Sequence, residues 1–115
     1  MISRLEVMTE ATNRASLFVN LVRDLRCISL GMPKERKSAE QRKDEYQRAA
    51  SVISDNPKLL KELGISVSKE DYSLMDKIAE QDDYKDGPEI ERLRSIFRVY
   101  NRHYLSRFRQ ASREY

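Results

Sequence analysis

The sequence predicts an all-α fold: a small bundle of four longer helices and one short one, ending in a long amphipathic C-terminal helix. Three observations lead there. Apolar residues recur every three or four positions through most of the 115 residues, the repeat of a helix with one buried face. Only three glycines and three prolines occur, too few turn formers for a many-stranded β protein. Those that do occur stand between the periodic stretches, close to residues that start or stop helices. The length predicts a single domain over 1–115. With 39% hydrophobic and 36% charged residues, the chain is polar but has enough apolar side chains for a core.

The first helix is predicted over residues 3–30. Leu5, Met8, Ala11, Ala15, Phe18, Val22 and Leu25 form one stripe. Leu17, Leu21 and Ile28 widen it on one flank and Val19 on the other, the pattern of a core helix contacted from more than one side. Gly31 and Pro33 end it. Residues 34–37 form a charged connector, and Ser38 followed by Gln41 opens a second helix to residue 54. That helix has a thin apolar face of Ala39, Tyr46, Ala49, Ala50 and Ile53. Asn56 and Pro57 then supply a cap and a first-position proline for a short helix that stops at Gly64. Ser68 and Asp71 start a fourth helix reaching residue 81, with Tyr72, Met75, Ile78 and Ala79 inward. A turn over residues 82–87 leads to Pro88, which opens the last helix, predicted to run to residue 115. Glu89 and Glu91 suit its positive N-terminal turn.

The last helix carries the functional signal. Leu93, Phe97, Tyr100, Tyr104, Phe108, Ala111 and Tyr115 share one side of it, whereas Arg94, Arg98, Arg102, Arg109 and Arg113 occupy a separate sector about 100° wide. All seven cations after position 91 are arginine, although lysine supplies eight of the fifteen before it. A solvated face does not require that choice, whereas the planar guanidinium fork suits carboxylates and phosphates. Leu105 falls inside the arginine sector, where a partner would cover it. The aromatic side reads as core, and its 3,4 spacing also suits pairing between two copies of the helix.

Overall charge is only +3, with a sequence pI near 9.1. It is unevenly spread: residues 69–91 hold nine acidic and three basic residues, whereas residues 92–115 hold seven arginines and one glutamate. A mildly basic chain with an adjoining acidic block is poorly equipped to coat nucleic acid. The expected function is therefore a non-catalytic protein–protein interaction module with a regulatory or assembly role. Its partner would be an acidic protein surface, met by Arg94, Arg98, Arg102, Leu105, Arg109 and Arg113. The alternative is a nucleic-acid-binding protein that places the same row on phosphates, with Lys34, Arg36 and Lys37 as a second contact.

Other sites fail on chemistry. Asp82, Tyr84, Asp86 and Gly87 resemble the start of a calcium loop, but tyrosine takes a ligand position and Leu93 stands where a bidentate glutamate is required. His103 is the only histidine and Cys27 the only cysteine, which excludes a closed zinc site from these residue types and an intramolecular disulfide. No phosphate loop, dinucleotide turn or serine elbow occurs, so no enzyme activity and no cofactor are expected. A helix-turn-helix over residues 56–81 would bring Glu70, Asp71, Asp76 and Glu80 against phosphates, and is rejected. The charged residues at 4, 6, 10 and 14 interrupt any signal-peptide core, no apolar run is long enough to span a membrane, and a lone thiol suits a reducing compartment. A cytoplasmic location is expected.

Overall fold

The computed structural model describes residues 3–31, 38–80 and 85–113, and every regular element among them is helical. In chain order these are α1 (Arg4–Ser29), α2 (Ala39–Ser54), α3 (Pro57–Leu63), α4 (Lys69–Glu80) and α5 (Pro88–Arg113). The all-α expectation is met. The connector at 34–37, with its Lys34, Arg36 and Lys37, lies outside the described residues, as do Pro33, the Ala39 side chain, Asp82, Tyr84 and Tyr115.

Local chemistry sets most of the boundaries. The Ser3 hydroxyl accepts the Glu6 amide at 3.2 Å, and Ser38 accepts that of Gln41 at 3.1 Å, each satisfying a donor that the first helical turn leaves unpaired. Ser68 and Asp71 cap reciprocally: the Asp71 amide donates to the Ser68 hydroxyl at 3.4 Å and the Ser68 amide to Asp71 Oδ2 at 2.9 Å. Asn56 departs from expectation. Its backbone sits at φ −130°, ψ 66° and its side chain makes no capping bond, so Pro57 at the first position marks that start instead.

Gly31 and Gly64 stop α1 and α3 in the left-handed region, at φ of 65° and 68°. Nothing lies within 4 Å of where a Cβ on Gly64 would stand. Gly64→Ala is therefore expected to cost about 1 kcal/mol through backbone conformation alone, read as a lower urea midpoint with an unchanged slope.

The architecture is built on one long helix pair. α1 and α5 lie antiparallel and form by far the most extensive interface, while α2 packs mainly on α4 and more lightly on α1. At one end Arg14 Nη1 donates to the Tyr104 hydroxyl at 3.0 Å, and at the other the Ser29 hydroxyl donates to Asp86 Oδ1 at 3.3 Å. The particle is elongated, 45 × 29 × 22 Å.

The core follows from the two apolar stripes. Phe18 is fully buried and lies 4.9 Å from the Tyr100 ring, 5.8 Å from Phe97 and 6.1 Å from Tyr104, centroid to centroid. The aromatic side of α5 is thus filled from within the chain. The reading of this stripe as core is met at Phe97, Tyr100 and Tyr104, which are fully buried, whereas Phe108 stays partly exposed. The width of the α1 stripe is also explained in part. Leu21 and Ile28 are buried, but Val19 on the opposite flank stays 38% exposed.

A buried polar seam joins the remaining helices. Arg42 is buried and its Nε donates to the Ala79 carbonyl at 3.4 Å, placing a cation on the negative C-terminal turn of α4. Asp24, only 1% exposed, and Tyr46 are buried in the same core. Burial, then the Asp24 charge, then Glu45 push the Tyr46 phenol well above its usual range, with Arg42 opposing.

Candidate functional site

The arginine-bearing helix is unbroken from Pro88 to Arg113. Pre-set proline φ begins it, and its arginines follow the helical sector that the spacing demands. They divide into two groups.

Four of the seven are engaged within the fold. Arg92 grips Asp71 with both arms of its fork, Nε on Oδ1 and Nη2 on Oδ2, each at 3.1 Å, and Nη2 also donates to the Ser66 carbonyl at 2.7 Å. Burial alone would raise the Asp71 carboxyl. The Arg92 hydrogen bonds, the Ser68 amide and hydroxyl, and the Arg92 charge together outweigh it and hold that carboxyl below the usual aspartate value. Arg107 reaches Glu10 of α1 at 3.6 Å, and the same carboxylate holds Arg14 at 3.1 Å. Glu91 takes Arg94 at 3.4 Å and Arg98 at 3.8 Å.

Exposure then separates Arg94 from the rest of its row. Its side chain is only 16% exposed and its Nε is buried without a hydrogen-bond partner among the described residues. Arg98 keeps 41% of its side-chain surface. Arg102, Arg109 and Arg113 are exposed, and none makes an ion pair among the described residues. Leu105, 38% exposed, stands among them. Leu105 and Asn101 also line a groove of about 240 Å³ between α1 and α5, with Phe108, Val19, Ala15, Thr12 and Ser16. Sequence periodicity marked Val19 and Phe108 as core, and only the three-dimensional packing turns them into groove walls. Helical spacing places Val19 on the flank away from Leu21 and Ile28, and that asymmetry was the available signal.

The single histidine and the single cysteine stand apart. His103 lies half-buried near Arg107 and Glu62 in a cleft of about 300 Å³. Burial, then the Arg107 charge, lower its pKa, and Glu62 opposes them. Because Arg14 meets Tyr104, beside His103, Cys27 lies thirteen residues further along α1, about 20 Å away. The two cannot act as a nucleophile and base. A cleft of about 620 Å³ between α1 and α2 is lined by Asn13, Gln47 and Ser51 with Arg14 and Arg48, and both of its arginines are already paired, with Glu10 and Asp44. Among the described residues no three His, Cys, Asp or Glu side chains converge as a metal site, and no helix is long and apolar enough to cross a membrane. Comparison with protein-family models, curated proteins and solved structures found no match for this chain.

Proposed function

We propose that this chain is a non-catalytic protein–protein interaction module with a regulatory or assembly role, binding an acidic protein surface through the outward side of α5. The residues in contact are Arg98, Arg102, Leu105, Arg109 and Arg113, with Arg94 behind them. One juxtaposition carries the reading: Arg102 and Arg109, exposed and without an ion pair among the described residues, flank the exposed apolar Leu105. Phosphates would gain from the cations and nothing from the leucine. A protein surface gains from both, since interfaces combine an apolar centre with a charged rim.

The even use of arginine supports the second reading, nucleic-acid phosphates met by the same row. Coprecipitation from cell extract, with and without nuclease and at low and raised salt, separates the two. Protein association is expected to survive nuclease and to weaken about tenfold in the double variant Arg102→Ala/Arg109→Ala. Loss on nuclease treatment, with a salt slope that falls by about one for each arginine removed, selects nucleic acid instead. If the double variant altered no association at all, the row would be a solvated surface and nothing more.

A further inference from the structure

Val19 of α1 and Leu105 of α5 are both 38% exposed, and they share a groove between these helices. Val19, Leu105, Ala15 and Phe108 make its walls predominantly apolar. Its two rims differ. On the α5 side, helical spacing sets Arg98, Arg102 and Arg109 on the outer flank of Leu105, beyond the lining residues themselves. On the α1 side the groove itself carries the uncharged hydroxyls of Thr12 and Ser16, and the exposed Arg23 follows only one turn beyond Val19.

We infer that this groove docks an amphipathic α-helix of a partner protein, with the apolar stripe of that helix on Val19, Leu105 and Phe108 and its acidic residues confined to the flank lying over α5. The inference rests on the proposed protein-binding role and specifies the partner's chemistry. A trough between two antiparallel helices accepts a third helix as ridges into grooves, and such a guest is read through residues at i, i+3 or i+4, and i+7. From Thr12 to Val19 the trough runs about 10 Å, the length of two helical turns. Along those two turns charge stands on the α5 side alone, which fixes which flank of the guest carries Asp and Glu. A second copy of this chain fits poorly. Two-fold pairing brings each patch against itself, setting Arg98, Arg102 and Arg109 against their own like charges.

The test pans a displayed library of helix-forming peptides on the full chain and titrates an enriched peptide by fluorescence anisotropy. Enriched sequences are expected to combine an apolar stripe with acidic residues on one flank. The variant Val19→Ser/Leu105→Ser changes only exposed side chains and is expected to bind about tenfold more weakly, with an unchanged circular dichroism spectrum. Acidic peptides that lack an apolar stripe, or that bind this variant as tightly as wild type, would overturn the groove while leaving the arginine surface standing. Indifference to Arg102→Ala/Arg109→Ala as well would overturn both. Absence of any enriched peptide overturns the groove, as does an RNA oligonucleotide that displaces the peptide and binds Val19→Ser/Leu105→Ser normally. A dimer dissolved by that same variant would assign the groove to a second copy instead.

Discussion

Phe18→Ala is expected to destabilise the fold by about 4 kcal/mol, within the range measured for buried aromatic truncations. The side chain is fully buried and touches three rings of α5 at 4.9 to 6.1 Å. Its loss removes both apolar burial and ring–ring contacts. Neighbouring side chains cannot close the space easily, because Tyr100 and Tyr104 are anchored on a continuous helix. Against a total stability of roughly 5–15 kcal/mol for a domain, that is a large share, and the melting temperature is expected to fall by about 15 °C. Urea unfolding followed by circular dichroism measures it. Phe18→Leu, which retains much of the volume, is expected to recover most of the loss. A cost for Phe18→Ala below about 1 kcal/mol would mean that α1 does not rest on this aromatic cluster.

The second large effect lies where α4 meets α5. Asp71→Ala removes the reciprocal cap with Ser68 and the acceptor of the Arg92 fork, for an expected cost of about 2 kcal/mol. The freed Arg92 is half-exposed and returns to water, so no buried unpaired charge adds to that figure. The effect depends on pH in a defined direction. The folded carboxyl is held below the ordinary 3.8 of aspartate, so its contribution is complete above that value and disappears as pH falls through the lower folded value. Wild type and Asp71→Ala are therefore expected to differ fully at neutral pH and to converge in acid. Urea midpoints taken across that range check it. A difference that grew on acidification would contradict the ion pair.

Helix positions were legible because each boundary is local chemistry: Ser38, Pro57, Gly64, the Ser68–Asp71 pair and Pro88 act on their own neighbours. The aromatic stripe was equally clear as a buried face. What covers a face is a long-range matter, however, and periodicity does not state it. Nothing in the spacing of Phe18 selects α5 rather than α2 as its companion. Buried polar residues were missed for a related reason. Arg42, Asp24 and Asp71 look like ordinary surface positions until the groups that satisfy or surround them, such as the Ala79 carbonyl and Arg92, arrive from elsewhere in the chain. At the candidate site, angular position identified the arginine sector. It did not show that Glu91 would draw in Arg94, nor that Val19 would remain uncovered beside Leu105.

The pairing of the first helix with the last also bears on how the molecule is made. During synthesis α1 leaves the ribosome with its broad apolar stripe bare, and its main companion α5 is translated only after α2, α3 and α4. Contacts so distant in sequence raise contact order and slow folding relative to bundles of neighbouring helices. Until α5 emerges, the nascent chain carries an adhesive surface of the kind that chaperones shield.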